Sequence, residues 1–309
     1  MADVRSALTG EPVDLDDLLE EVRAASPARP FDDASVAFCT ALSGELLRGG
    51  AARTWPQLAA LGYWLRPAST TRMRDALLAH ETPRTVLVPR GVVLHVAPGN
   101  VDTMFVHSWV LALLTGNVSV VRVSDRGADA TAHLLATIAR LLDRDDLADV
   151  RRRSHLVHTP HDDDVSARLS AAADVRVVWG GDATVARFRA LPTPPRGKDV
   201  VFPDRHSLAL LDADAVDAAS DETLDALGDA LFNDAYWFDQ GGCSSPRLIV
   251  WAAGADVERA RARLRGAVDA ALRRRGYEAG TGAVIGKLVR GLRTAAAQDG
   301  VRVATASNE

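Results

Sequence analysis

Cysteine is nearly absent, with two in 309 residues, Cys39 and Cys243. Two thiols so far apart in the chain do not make a disulfide framework. Excess positive charge is also missing. A formal net charge of −5 offers no phosphate-tracking surface, so nucleic acid is not an expected partner. Arg273-Arg274-Arg275 reads as a solvated helix end. The longest apolar run, around Met104 to Leu114, contains His107 and is too short to span a bilayer. The N-terminal region carries Asp14, Asp16, Asp17, Glu20 and Glu21, not the basic segment and apolar core of a signal peptide. A cytoplasmic protein without a membrane span is expected. No Gly-x-Gly-x-x-Gly and no internal repeat occur, so a nucleotide site has to be of another kind.

What is present is globular: 47% hydrophobic and 25% charged residues, enough chain for one large domain or two ordinary ones. The first eighty residues show helical spacing over Asp14–Ala25, Asp33–Arg48 and Thr54–Leu65, punctuated by Pro27, Pro30 and Pro67. Cys39 falls on the apolar side of the second helix and reads as core. From Val86 the texture changes. Short β-branched runs at Val92–Val96, Val118–Val123, His155–Val157 and Val175–Trp179 alternate with helical stretches at Thr103–Leu114, Ala128–Leu142 and Val165–Ala173. Continuously apolar strands alternating with helices predict a parallel sheet covered on both faces. Such a sheet binds ligands at the carboxyl ends of its strands. The proline-rich stretch Leu191–Phe202 breaks the pattern and predicts a crossing into a second unit. There, strands at Ser207–Leu211 and Leu248–Trp251 alternate with helices at Glu222–Phe238 and Val257–Arg274.

Two patterns invite functions that their spacing does not support. His155, His158 and His161, followed by Asp162-Asp163-Asp164, suit neither one helix face nor a zinc pattern, and His155 and His158 point to opposite sides of a strand. A helix start with acids favoured by the dipole accounts for the aspartates. No metal is expected. Gly280-Thr281-Gly282 before Gly286-Lys287 is one residue off a phosphate loop, and Leu288 stands where a hydroxyl should hold magnesium.

Cys243 lies in Asp239-Gln240-Gly241-Gly242-Cys243-Ser244-Ser245-Pro246, between a predicted helix and a predicted strand. Scaffolded loops are frequent homes of catalytic groups, and glycines let the backbone approach a ligand. From these residues alone, a catalytic thiol and a small core residue are equally good readings.

Four segments in order resemble the aldehyde dehydrogenase superfamily, and within it the LuxC-type acyl-CoA reductases. Pro98-Gly99-Asn100 resembles the Pro-Trp-Asn turn. Gly116-Asn117-Val118-Ser119-Val120-Val121-Arg122-Val123-Ser124 resembles the Gly-Asn-x-Val-Val-x-Lys-Pro-Ser strand. Trp179-Gly180-Gly181-Asp182 stands where the superfamily has Phe-Thr-Gly-Ser, and Asp239–Pro246 resembles the reductases' nucleophile loop.

The resemblance implies an α/β, aldehyde-dehydrogenase-like fold: a Rossmann-type parallel-sheet cofactor domain followed by a partial α/β catalytic domain. The expected organisation is a helical segment at 1–80 packing on a nucleotide-binding domain at 81–198. The N-terminal part of a catalytic domain, with the nucleophile, would follow at 199–309. By the same resemblance Cys243 attacks an acyl-CoA or acyl thioester, while Asn100 and the Cys243 N–H hold the oxyanion. The reactive form is the thiolate; a helix carboxyl end ahead of the loop disfavours it, so its activation has to come from elsewhere. Arg122 and Ser124 fall where the family contacts the adenosine ribose, and Gly180 and Gly181 where a helix start meets the pyrophosphate. Asp125 favours NADH by the acid rule, whereas Arg122 and Arg126 suit a 2′-phosphate. The reductase resemblance tips the expectation to NADPH, with NADH as the alternative.

The superfamily's Glu-Leu-Gly-Gly-Lys, whose glutamate activates water, is replaced by Val200-Val201-Phe202-Pro203-Asp204. Its loss favours acyl reduction over aldehyde oxidation. Ending at Glu309, the chain resembles a C-terminally shortened member. Other readings are a coenzyme-A-acylating aldehyde dehydrogenase of shorter substrates and a non-reducing, acyl-carrying subunit. An acyl-transferring partner protein and, at full length, a homo-oligomer are the associations the resemblance implies.

Overall fold

A computed structural model describes residues 4–299, apart from 49, 126–128, 253 and 255. The chain divides into two compact units, 1–204 and 205–309.

The first unit opens with β1 (Arg5–Ser6) and α1 (Leu15–Ala24). Asp14 caps α1, its carboxylate accepting from the N–H groups of Asp16 and Asp17 at 2.8 and 3.2 Å. Then come α2 (Asp33–Arg48), α3 (Ala51–Thr54), α4 (Pro56–Trp64) and α5 (Pro67–Leu78). The single helix predicted over Thr54–Leu65 is therefore interrupted at Trp55. Pro67 starts a helix instead of only ending one; at the first helical position its missing N–H costs nothing.

An alternating series follows: β2 (Val92–Val96), α6 (Met104–Leu114), β3 (Val118–Arg122), α7 (Asp129–Leu142), α8 (Ala148–Arg152), β4 (Ser154–His158), α9 (Asp163–Ala172), β5 (Val175–Trp179), α10 (Asp182–Ala190) and β6 (Lys198–Phe202). The strand order is β1-β4-β3-β2-β5-β6. β2 to β6 run parallel, and β1 is an antiparallel edge on β4. The chain thus starts its parallel series in the middle, builds β3 and β4 outward on one side, then returns to build β5 and β6 on the other. The switch point lies between β2 and β5.

The proline-rich stretch expected to leave the sheet returns to it. Lys198–Phe202 pairs in register with Val175–Trp179, and Phe202 stacks on Trp179 with ring centroids 3.6 Å apart. Its pattern was obscured because Lys198 and Asp199 begin the strand on its exposed margin.

Side chains alternate through the sheet into two apolar layers. Leu94, Val96, Val118, Val120 and Val178 face α1, α9 and α10. Val121 and Val123 face a larger cluster built on α2, α4, α6 and α7, including Phe38, Leu42, Leu58, Trp109 and Ile138. Helices on both faces explain why the central strands are predominantly apolar, with the few polar side chains such as His95, Ser119 and Arg176 buried and hydrogen-bonded.

The second unit contains β7 (Ser207–Asp212), α11 (Ala213–Ala218), α12 (Asp221–Ala235), β8 (Pro246–Ala252), α13 (Val257–Arg274) and α14 (Thr281–Ala297). β7 and β8 form a two-stranded parallel sheet. Its small core joins Leu211 and Trp251 to Val216, Leu224, Leu231 and Leu264. α12 ends at Ala235, three residues before the predicted end, and a turn occupies 236–240. The glycine run at 280–286 opens α14, with Gly280 as its N-cap, and no strand precedes it as a phosphate loop requires.

Candidate active site

At the carboxyl ends of the parallel strands lies a cleft of about 590 Å³. The end of β2 contributes Gly99 and Asn100, and the end of β3 contributes Arg122, Ser124 and Asp125. Past β4 it is lined by His161, at the end of β5 by Trp179, and on α10 by Thr184 and Arg187. This is the switch-point position at which open α/β sheets take ligands. Of the residues predicted to bind cofactor, Arg122, Ser124 and Asp125 are brought together here with Asn100. Gly180 and Gly181 join the cleft residues Trp179 and Thr184, and Gly181 is the N-cap of α10. Arg126 lies outside the described residues.

The turns run close against neighbouring side chains. A Cβ on Gly99 would stand 2.5 Å from the Ser124 hydroxyl oxygen, and one on Gly181 would stand 2.9 Å from an Asp204 carboxylate oxygen. These close approaches leave the backbone bare where a ligand can contact it.

Electrostatically the cleft is mixed. Arg122 donates to Nδ1 of His161 at 3.1 Å. Burial, and then the nearby Arg187 guanidinium, lower the Arg122 pKa, opposed by Asp125. Arg187 itself pairs with Asp163 through its Nε at 2.7 Å. Asp125 pairs with Nδ1 of His158 at 2.8 Å. Two guanidiniums therefore converge on a cleft whose carboxylate is already engaged by a histidine. Two arginines, bare glycine backbone and the start of α10 fit the phosphates of a nucleotide.

Sequence reading missed Arg187, Thr184 and His161. Arg187 follows Gly181 by six residues, so recognising the helix after Gly180-Gly181 would have brought it to notice. His161 was weighed only as a metal ligand. The three histidines instead go separate ways: His155 sits 3.7 Å from Glu21, His158 on Asp125, and His161 on Arg122. Asp162 caps α9 by accepting from Asp164 and Val165 N–H groups at 2.7 and 3.2 Å, as the aspartate run predicts. Among the described residues, no cluster of His, Cys, Asp or Glu is placed to hold a metal, and no helix is long and apolar enough to cross a membrane.

Beneath the cleft, His95 is fully buried. Its Nδ1 lies 2.8 Å from Ser108 Oγ and its Nε2 lies 3.3 Å from Ser119 Oγ. Burial lowers its pKa to about 3, so the imidazole is neutral. The Trp179 indole N–H donates to the same Ser108 oxygen at 3.2 Å. A buried polar network thus anchors an aromatic wall of the cleft.

The second unit holds Cys243. After α12 the backbone turns through Asp239 (φ 48°) and Gln240 (φ 59°), then through a turn closed by Ser245 N–H donating to Gly242 O at 3.1 Å. Cys243 is exposed, and Ser207 donates to its carbonyl at 2.7 Å. Cys39 is the contrast: it is buried in the first unit, and desolvation, with Asp32 nearby, pushes its pKa up to about 12. Of the two thiols only Cys243 is open to a substrate.

The acyl-CoA reductase (LuxC) family model matches residues 72–276. A long-chain acyl-protein thioester reductase of Aliivibrio fischeri is 27% identical over 165 residues, covering 53% of this chain and 32% of the relative. The Vibrio harveyi protein of the same description is 29% identical over 185 residues, covering 58% and 36%. The match thus spans about a third of these relatives' length. Among solved structures, a putative aldehyde dehydrogenase from Burkholderia cenocepacia superposes with a TM-score of 0.60 at 18% identity, over 86% of this chain and 60% of that one. An NADP-dependent glyceraldehyde-3-phosphate dehydrogenase from Bacillus halodurans, complexed with NADP, gives 0.57 at 14%, over 87% and 62%. These similarities establish an aldehyde-dehydrogenase-like fold.

Proposed function

The chain belongs to the LuxC family of acyl-CoA reductases, and on that premise we propose that it reduces a long-chain acyl thioester to an aldehyde through an acyl-cysteine at Cys243. One observation carries the assignment: Cys243 is an exposed thiol on a turn with constrained backbone, while the other cysteine is buried and held protonated. The Cys243 thiolate attacks the thioester carbonyl, and the carbon–sulfur bond to coenzyme A breaks. The departing thiolate takes up a proton. One thioester replaces another, so the protein's task is to lower a barrier. By the family resemblance, the Asn100 side-chain amide and the Cys243 N–H are the donors this proposal assigns to the oxyanion.

A nicotinamide nucleotide, when bound, supplies the hydride that reaches the acyl carbon. The remaining work belongs to the chain. Gly99, Gly180 and Gly181 leave backbone bare for the pyrophosphate, with Ser124 at the ribose. Arg122 and Arg187 are poised for a 2′-phosphate. Asp125, the residue that would favour NADH, already faces Nδ1 of His158 at 2.8 Å, so the reading favours NADPH. After hydride transfer the hemithioacetal on Cys243 collapses, returning the thiol and releasing aldehyde. Self-association and an acyl-transferring partner protein belong to the same proposal by resemblance.

Incubation with a long-chain acyl-CoA is expected to add one acyl mass, removable by hydroxylamine and absent in Cys243→Ala. Acylation that persists in that variant, or maps to Cys39, rejects the assignment. In a direct titration NADPH is expected to bind more tightly than NADH, with Arg187→Ala removing the preference. Equal affinities in the wild type reject the cofactor choice.

A further inference from the structure

Cys243 follows two consecutive non-glycine residues in the left-handed region, Asp239 and Gln240. Such backbone is sparsely populated and persists only where its surroundings hold it. Backbone bonds close the turn: Asp239 N–H to Tyr236 O at 3.1 Å, Gln240 N–H to Ala235 O at 2.8 Å, and Gly241 N–H to Phe238 O at 2.6 Å. A side chain from elsewhere in the second unit reaches it. The Tyr277 hydroxyl donates to Asp239 Oδ1 at 2.6 Å, a short bond to a carboxylate.

Tyr277 is itself held firmly. α13 ends in a Schellman arrangement: Gly276 takes φ 59°, its N–H donates to Arg273 O, and Tyr277 N–H donates to Leu272 O, both at 3.1 Å. The Tyr277 ring then stands edge-on to Tyr236 at 5.3 Å and to Phe232 at 6.1 Å, both from the α12 segment. Backbone and ring are thus fixed independently, which aims the hydroxyl at Asp239. On the other flank of the loop, Ser207 grips the carbonyl of Cys243.

We propose that Tyr277 is a positioning residue for the nucleophile, its hydroxyl clamping Asp239 so that the left-handed turn presents the Cys243 thiol in one orientation. This rests on the reading of Cys243 as the acylated residue. Burial, and then the bond to Asp239, raise the Tyr277 pKa, so the phenol remains a donor throughout the range in which a thiol ionises.

Tyr277→Phe keeps the ring contacts and deletes the hydroxyl. Amide hydrogen exchange in the 237–246 peptide is expected to rise about tenfold in the full chain, and acylation by a long-chain acyl-CoA to slow about tenfold. Alkylation of Cys243 by iodoacetamide, which makes no demand on the thiol's direction, should stay within about twofold of wild type on the same ground. Asp239→Asn keeps an acceptor and tolerance of the left-handed region but loses the charge, so its exchange and acylation should lie between those of wild type and Tyr277→Phe, with alkylation unchanged. Unchanged exchange in Tyr277→Phe overturns the clamp. Faster exchange with unchanged acylation, or an equal fall in alkylation, overturns its positioning role. A wild-type chain that is never acylated at Cys243 sinks the nucleophile assignment, and the exchange arm then still decides whether the clamp exists.

Discussion

Removing Arg176 tests what holds the two walls of the cleft in place. Its side chain is 2% exposed and pairs bidentately with Asp199, Nε at 2.7 Å and Nη2 at 2.9 Å. Its Nη1 donates to Phe188 O at 2.6 Å and to Leu191 O at 3.3 Å, carbonyls at the end of α10. One guanidinium therefore ties β5 to β6 and both to the helix that carries Thr184 and Arg187. Arg176→Met leaves Asp199, 24% exposed, without its partner and takes a donor from Leu191 O, while Phe188 O keeps the Leu191 N–H at 3.1 Å. Breaking one side of a buried pair costs about 3–5 kcal/mol; the partial exposure of Asp199 argues for the lower end, about 3 kcal/mol. For a unit of this size that corresponds to a melting temperature lower by about 6–12 °C. Arg176→Met with Asp199→Asn removes the stranded charge and is expected to recover part of the loss, the remainder belonging to the Leu191 carbonyl and the weakened bonding of Phe188 O. Urea and thermal denaturation of both variants measure this. A single variant within about 1 kcal/mol of wild type, or a double variant no better than the single, refutes the account.

Gly116 has φ 82°, and a Cβ there would stand 2.1 Å from Ala28 O, whereas Gly10 at φ 77° has open space around it. Gly116→Ala is expected to cost about 2–4 kcal/mol and Gly10→Ala about 1 kcal/mol; equal losses in urea melts would show that the contact with Ala28 is easily relieved. His95 gives a pH dependence. Its folded pKa is about 3 against an ordinary value of 6.5, so below pH 6.5 the unfolded chain takes up a proton that the folded chain refuses. Stability falls with decreasing pH across that window by up to about 1.4 kcal/mol per pH unit. His107 and His155 are lowered in the same direction by burial, so His95→Gln should flatten the curve without levelling it. Parallel stability–pH curves for wild type and His95→Gln would show that burial of His95 does not drive the slope.

The parallel strands were legible because their burial on both faces leaves them rich in β-branched and apolar residues, and β2 and β5 match their predicted bounds. Helix starts signalled by aspartate, at Asp14 and Asp162, were legible for the same local reason. What escaped depends on partners distant in sequence. β6 opens with Lys198 and Asp199, and its identity comes from pairing with β5 and from Phe202 stacking on Trp179. The Arg122–His161 contact joins two strand ends that no local pattern links. Tyr277 lies 38 residues from its partner Asp239, and its role depends on how α13 terminates.

The family-like motifs divide by the constraint that holds each residue. Asn117 accepts from the N–H groups of Arg90 and Gly91 at 2.7 and 3.1 Å and donates to Ala112 O and Thr115 Oγ1. With Gly116 it shapes the entry to β3 and touches no ligand site. A Cβ on Gly99 would crowd the Ser124 side chain, and one on Gly181 would press on the Asp204 carboxylate. Much of the resemblance is thus a record of tight backbone geometry, which is why it identifies the fold securely and the substrate less so. The chemistry rests on fewer groups. In the stretch 200–204 the sheet has already committed the side chains: Val201 packs in the apolar layer with Val178 and Phe188, and Phe202 lies on Trp179. Asp204, the one acid there, sits against Gly181. With no glutamate in that stretch to activate water, the reaction proposed for Cys243 would lack one route of acyl-enzyme hydrolysis, which favours reduction over oxidation in that proposal.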